Sequence, residues 1–306
     1  MSADPSDVGF SVVIPTHDSR ASVRRAVESV LAQTHGPLEV VVVCDGDGRG
    51  TRAVLDGLGD ERVRIVEQSH EGPSAARNHG ARLAEFAFVT FLDDDDEARP
   101  LWLATAASAA ERECGTGVIT WGVAFREHGV VVNERDCRLL VGDRTTRGAS
   151  LLAGGYAVRT DVFQEIGGYD TSLTYSENLD LGFRLLDHVE EHGIPVVHVA
   201  DPLVDLNRQP ARVRADRYRS APGRAAAIIL DRHAARFRGD GSATASFLRL
   251  IAAAERHEGR RGRAIRTAVR AVGTHPAGWQ NYRTLAVSLL PPSWNAATLG
   301  LPRRPR

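Results

Sequence analysis

Phe86-Ala87-Phe88-Val89-Thr90-Phe91-Leu92-Asp93-Asp94-Asp95-Asp96 decides how the rest of the chain is read. A short apolar run ends abruptly in four carboxylates. A run without polar alternation reads as a strand covered on both faces, the habit of parallel sheets. Carboxylates this close raise one another's pKa or recruit a cation. Hard divalent cations such as Mn²⁺ or Mg²⁺ prefer oxygen ligands, often one or two carboxylates completed by substrate phosphates. The expectation is a cation-diphosphate site at a strand end. The plainer alternative is a solvated acidic turn that caps a helix starting near Pro100.

Working outward, apolar strands alternate with helical periodicity. Strands are expected at Phe10–Ile14 (stopped by Pro15), Leu38–Cys44, Val63–Val66 and Phe86–Leu92. Helices are expected at Ser22–Gln33, Thr51–Leu58 and Ser74–Glu85. This alternation predicts an α/β fold with a mostly parallel, Rossmann-like sheet flanked by helices. In such sheets ligands bind beyond the carboxyl ends of the strands. Pro15-Thr16-His17-Asp18, Asp45-Gly46-Asp47 and Asp93–Asp96 all fall there. Farther on, helices are expected at Leu101–Glu113, Val162–Ile166 and Leu179–Val189, with strands at Gly117–Phe125 and Pro195–Val199. The stretch Leu151–Val158 reads as irregular.

Charge divides the chain. Its formal net charge is −1, from 38 basic and 39 acidic residues. Of these, about 20 arginines but only 5 acids lie from Arg208 onward. The expected domains are residues 1–207, the α/β domain, and 208–306, a basic helical region with helices near Ala225–Arg236, Ser246–His257 and Arg263–Val272. Cys44, Cys114 and Cys137 show neither disulfide nor zinc spacing. His17, His35, His70, His79, His128 and His198 lack metal-ligand spacing and are expected to be structural or solvated. Without a leader-like start or an apolar run near ~18 residues, the expected location is the cytoplasm. The arginine cluster Arg260, Arg261, Arg263, Arg266 and Arg270 suits contact with the acidic first domain, in cis or across a dimer, or peripheral contact with an anionic membrane or polymer. Nucleic acid is a poor fit, because no recognition motif or aromatic interleaving accompanies the arginines.

Four motifs in order resemble the family 2 glycosyltransferases, which have a GT-A fold: Ser11–Asp18, Val41–Asp47, Gly72–Gly80 running into Phe91–Asp96, and Gly167–Asp170 followed by Ser176–Arg184. The resemblance covers about residues 9–210. It implies an inverting, metal-dependent transfer of a sugar from a nucleotide-diphosphate donor, UDP-sugars favoured, to an acceptor hydroxyl, with Mn²⁺ or Mg²⁺ as cofactor. It places Pro15, Thr16, Asp45, Arg77, Asp93, Asp94 and Asp95 at the donor. Asp45 would accept from a nucleobase imide, Asp95 would ligate the metal directly, and Asp93 would reach it through water or hold the ribose. Asp96 would orient the loop or the sugar. An Asx turn is the alternative for Asp45, and an ion pair to a rim acid for Arg77. Asn78, Trp102 and Trp121 read as structural, and Gly154-Gly155-Tyr156 precedes the segment that usually frames the acceptor.

Two departures matter. The family's acidic pair falls on Glu177 and Asn178, and asparagine cannot take a proton. Glu177 is the provisional base, with Asp170 and Asp180 as substitutes; Asp180 can instead pair with Arg184 one turn away. Asn207, Arg208 and Gln209 stand where the family often has a metal-binding histidine. The alternative function is a catalytically impaired sugar-nucleotide-binding protein. A nucleotidyltransferase fits less well, because no lysine-bearing triphosphate loop is present.

Overall fold

The computed structural model describes residues 8–17, 20–207 and 220–290. Asp18 and Arg208–Gln209 lie outside these residues. By their internal contacts they form two compact units. One holds most residues up to 207; the other holds 220–290, with the short segments 144–146 and 174–176 grouped with it.

The first unit opens with β1 (Phe10–Thr16), α1 (Arg20–Leu31), β2 (Leu38–Asp45), α2 (Arg49–Leu55), β3 (Val63–Gln68), α3 (Pro73–Arg82) and β4 (Phe88–Phe91). The strands lie in the order β3-β2-β1-β4, all parallel. Every residue of β1 and β2 is buried, as their unbroken apolar character requires. β1 does not stop at Pro15. It pairs with β2 through Thr16↔Cys44, while its pairing with β4 ends at Val13↔Phe91. Beyond Val13 one side of β1 is open, so a proline there forfeits little of the ladder. Gly80 explains how closely α3 lies on this sheet: a Cβ there would stand 2.4 Å from Val13 Cγ1.

The sheet then changes direction. Next come β5 (Glu97–Ala98), α4 (Trp102–Arg112), β6 (Val118–Glu127), β7 (Val130–Asp136), β8 (Arg138–Leu139), β9 (Ala149–Ser150), β10 (Tyr156–Arg159), α5 (Thr160–Glu165), α6 (Glu177–His192) and β11 (Val196–Asn207). β10 enters antiparallel between β4 and β6; β11 runs parallel to β6, and β5 pairs antiparallel on β11. β8 and β9 form a separate two-stranded ribbon. Trp102 and Trp121 are fully buried and meet edge to face at 5.8 Å, so both are core residues as expected.

Several elements depart from the sequence reading: Leu151–Val158, read as irregular, runs into β10, and the two-residue strands β5, β8 and β9 were not expected. β7 was not expected, because all seven of its residues are exposed and show no buried alternation. β11 was expected to end at Val199 but runs on to Asn207. Ala200-Asp201-Pro202, which reads as a breaker, is absorbed as a β-bulge with register shifts on either side of Pro202. This extension carries the chain back to the aspartate turn.

The second unit contains α7 (Ala221–Arg232), α8 (Gly241–His257), α9 (Arg261–Thr274) and α10 (Trp279–Leu289). Ala245, Leu248 and Ala271 form its small core, flanked by Leu230 and Ile251. Asp240 caps α8 by accepting from Ala243 N at 2.8 Å. α10 was not expected. Its exposed Trp279, Tyr282 and Leu289 blur the amphipathic pattern. No helix among the described residues is long and apolar enough to cross a membrane.

Candidate active site

The carboxyl ends of β1, β2 and β4 bring Thr16, Asp45 and Asp93 onto neighbouring strand ends. Beside β1 and β2 lies a cleft of about 480 Å³, lined by Thr16, His17, Cys44, Asp45, Gly46, Asp47, Arg49 and others of the following turn. Another cleft, of about 590 Å³, lies at the opposite end of β11 and is lined by Gly193–His198 and side chains such as Arg112 and Glu113. It holds none of the residues expected at the site, so its size carries no functional weight.

Asp45 is 4 % exposed. It is engaged by the loop between β3 and α3, not by an Asx turn with Gly46. Its Oδ1 accepts from Gln68 Nε2 at 2.9 Å and Glu71 N at 2.8 Å, and its Oδ2 accepts from Gly72 N at 2.8 Å. His70 Nδ1 stands 3.1 Å from the same Oδ2. Burial pushes the Asp45 carboxyl up, but the donors from Glu71, Gln68 and Gly72 outweigh it and hold the group below the usual carboxylate range. Gly72 caps α3 at φ 92°, a conformation that only glycine adopts readily, and its N–H can therefore reach Asp45. Thr16 is 3 % exposed, and its Oγ1 has no hydrogen-bond partner among the described residues. A buried hydroxyl left without a partner beside a cleft is a contact waiting for a ligand.

Asp93–Asp96 form a turn, closed by Asp96 N–H donating to Asp93 O at 3.0 Å. Asp93, Asp94 and Asp95 are half-buried, whereas Asp96 is 5 % exposed. Asn207, at the end of β11, straps the turn down. Its backbone N–H donates to Asp96 Oδ1 at 2.7 Å and its Nδ2 donates to Asp95 O at 2.6 Å. Asn207 thus holds the turn in the position where the resemblance would put a metal-binding histidine. Burial, then Asp93 and Asp95, push the Asp96 carboxyl well above the usual carboxylate range. Asp93 and Asp95, half-buried and offering oxygen donors only, fit a hard divalent cation.

Arg77 was expected at the donor itself. It lies beneath the rim, 4 % exposed, with Nε and Nη1 shut off from solvent and lacking partners among the described residues. Its Nη2 donates to Asp93 Oδ1 at 2.5 Å, and the guanidinium carbon stands 5.3 Å from the centre of the Tyr169 ring. Burial opposes its charge, but Asp93, Tyr169 and Glu177 outweigh it and keep Arg77 protonated. Arg77 therefore positions Asp93 from below.

Glu177 and Asn178 open α6. Tyr169 O–H donates to Asn178 Oδ1 at 2.9 Å, and the Tyr156 and Tyr169 hydroxyls lie 2.6 Å apart. Tyr156 is fully buried, so it is no acceptor platform. Asn178 Nδ2 stands 3.4 Å from Glu177 Oε1. Asp180 is fully buried and paired with Arg184 Nε at 2.8 Å, which removes it as a substitute base. Asp170 caps a turn through Ser172 N at 2.8 Å. Asn78 exchanges hydrogen bonds with the Tyr169 backbone, both at 2.8 Å, so its expected structural role holds.

Residues 11–165 match the model of glycosyl transferase family 2. The chain belongs to that family. A curated relative, the glucosyl-dolichyl phosphate glucuronosyltransferase of Haloferax volcanii, is 32 % identical over 61 % of this chain and 61 % of its own length. The GalNAc(5)-diNAcBac-PP-undecaprenol beta-1,3-glucosyltransferase of Campylobacter jejuni is 35 % identical over 29 % of this chain and 30 % of its own. The chain thus spans less than two thirds of these relatives. The crystal structure of S. aureus TarS 1-349 in complex with UDP-GlcNAc superposes with a TM-score of 0.62 at 17 % identity, covering 92 % of this chain and 90 % of that one. The likeness establishes a GT-A glycosyltransferase fold, as expected from the sequence.

The family motifs did not foretell the histidines. His17 and His70 were expected to be structural or solvated, and the structure brings both to Asp45, with ring centroids 4.5 Å apart. They come from two loops 53 positions apart in sequence, so spacing alone carries no signal. The one hint was that each sits just past a strand end.

Proposed function

We propose that the protein transfers a sugar from a nucleotide-diphosphate sugar, with UDP the favoured carrier, to a hydroxyl of a glycan or lipid-linked acceptor, inverting the anomeric centre. One observation carries the reading: a buried arginine holds the acidic turn through Asp93 and interacts with Glu177 of the acid-amide pair, while a buried carboxylate beside a cleft ends another strand of the same sheet. The names of relatives that act on dolichyl and undecaprenyl carriers, and the UDP-GlcNAc held by TarS, support it.

In this reading Asp45 accepts from the nucleobase imide, with the exposed His70 ring yielding its place, while Pro15 and Thr16 border the nucleoside. Asp93 and Asp95 would hold Mn²⁺ or Mg²⁺, with Asp94 beside them. Once bound, the cation neutralises the departing diphosphate. Arg77 keeps Asp93 in place. Glu177 takes the proton from the acceptor hydroxyl as its oxygen forms the new bond to the anomeric carbon and the diphosphate leaves from the opposite face. Release of UDP from UDP-glucose, UDP-GlcNAc or UDP-glucuronate in the presence of a polyprenyl phosphate acceptor tests this. Full activity in Asp95→Ala would sink the metal assignment.

Asn178 supports a second reading, an impaired sugar-nucleotide binder, because its carboxamide accepts a hydrogen bond from Tyr169 but cannot take a proton from an acceptor hydroxyl. Nucleotide binding without turnover, with turnover appearing in Asn178→Asp, would favour it.

The proposal includes peripheral contact with anionic lipid at the cytoplasmic face. Arg263, Arg266 and Arg270 lie on one exposed face of α9, with no ion pair among the described residues. Exposed Trp279, Tyr282 and Leu289 follow on α10. Basic residues near such a surface contribute about 1 kcal/mol each. Equal sedimentation with neutral and anionic vesicles would refute this contact.

A further inference from the structure

We propose that His17, Asp45 and His70 form a second metal site, one for a borderline transition ion of the Zn²⁺ class, distinct from the aspartate turn. One ligand atom from each residue can be chosen so that all lie within 4.8 Å of one another. The three residues come from three separate segments, the ends of β1 and β2 and the loop before α3, so their meeting is a product of the fold.

The hydrogen bonding suits metal ligation. His17 Nδ1 lies 2.6 Å from the Asp45 backbone carbonyl. A carbonyl only accepts, so the proton is on Nδ1 and the ring lone pair is on Nε2. Metal-binding histidines are commonly oriented by this arrangement, the other ring N–H donating to a carbonyl or carboxylate. His70 is exposed, and its Nδ1 stands 3.1 Å from Asp45 Oδ2 and 3.2 Å from the Asp45 backbone carbonyl, so without a metal it carries the proton there. A cation entering there takes the place of the proton between them, the ring carrying its N–H on Nε2 instead. Asp45 is held ionised by the donors around it. The unpartnered Thr16 hydroxyl borders the same cleft.

Ligand chemistry separates the two sites. The Asp93–Asp96 turn offers oxygen alone, which suits Mg²⁺ and Mn²⁺. Two imidazoles and one carboxylate suit Zn²⁺, Co²⁺ or Ni²⁺, with open positions left for water. The consequence is regulatory. Asp45 cannot serve a nucleobase and a transition ion at once, so Zn²⁺ here excludes the nucleotide. This exclusion rests on the nucleotide reading above; the metal site itself does not.

The test is calorimetric titration of the full chain with Zn²⁺ in a non-chelating buffer, repeated with Co²⁺ followed by visible absorption. Wild type and Asp95→Asn are expected to bind one ion alike at this site. His70→Ala and His17→Ala, both altered at exposed positions, are expected to weaken binding about tenfold or more. Circular dichroism checks that each variant is folded. Unchanged affinity in both histidine variants would overturn the site, as would loss of binding in Asp95→Asn. Saturating UDP is expected to weaken Zn²⁺ binding. UDP bound with no effect on Zn²⁺ would overturn the exclusion alone, and failure of UDP to bind would count against the nucleotide reading.

Discussion

Asp45 and Asp96 stand near the ends of two strands of one sheet, are almost equally buried, and are driven in opposite directions. Asp45 meets two backbone N–H groups, an amide and an imidazole, and its carboxyl is held below the usual range. Asp96 meets one backbone N–H and three aspartates, and its carboxyl is pushed well above the usual range. At Asp45 the donors outweigh burial; at Asp96 burial, the largest cause, acts together with the neighbouring aspartates, and a single donor does not offset them. One end of the rim is furnished with positive partners by the chain itself. At the other, Arg77 pairs with Asp93, and on the proposed function a divalent cation adds further positive charge.

The largest expected effect comes from removing the cation's ligand. Asp95→Ala is expected to lower sugar transfer roughly 100-fold or more, because Lewis-acid stabilisation of a leaving diphosphate is worth several kcal/mol. The matching loss from Glu177→Gln is about 100-fold, the ordinary contribution of a general base. Both are read from initial rates of UDP release. An Asp95→Ala protein that still responds to Mn²⁺ would break the contrast between the two ends.

Asp45→Ala leaves the Glu71 and Gly72 N–H groups without their acceptor. It is expected to cost about 1–3 kcal/mol in denaturant unfolding, and to abolish UDP binding. Its pH signature sharpens the comparison. A depressed carboxyl contributes stability that is present above the unfolded value near ~3.9 and is lost as pH falls through the lower folded value. The acid limb of the stability curve should therefore shrink in the variant.

Asp96 predicts the opposite sign. Its raised carboxyl contributes stability present below the unfolded value, lost as pH rises through the higher folded value. Asp96→Asn removes that loss and is expected to stabilise the protein at neutral pH and above, in the absence of divalent cations. Thermal unfolding at pH 5 and pH 8 reads the difference. A variant that is less stable at both would show that Asp96 acts as a charged anchor for Asn207.

The smallest effect is expected at Tyr169→Phe. It loses hydrogen bonds to Tyr156 and Asn178, about 1 kcal/mol, and frees Asn178 beside Glu177. Retained stability with altered KM would place this network in acceptor binding.

Much of this contrast was legible from residue order. The apolar runs ending in Asp45 and Asp93 announced buried parallel strands and a functional rim, because a strand covered on both faces needs no alternation. What could not be read was how each carboxylate is satisfied. Gln68, Glu71 and Gly72 reach Asp45 only because β3 lies beside β2 and glycine turns the chain into α3. Asn207 reaches the aspartate turn only because β11 runs through a proline bulge that looked like its end. His17 and His70 belong to the same class of long-range juxtaposition. In the second unit, α10 escaped notice because its apolar residues face outward.

The central claim is tested most directly by titrating the folded protein with UDP, with and without Mn²⁺, in wild type and Asp95→Asn. The account predicts that Mn²⁺ tightens UDP binding about tenfold or more in wild type, and has no such effect in the variant. Equal UDP affinity with and without Mn²⁺ in wild type would contradict it, and would leave Asp93–Asp96 as an acidic turn held by Asn207 and Arg77.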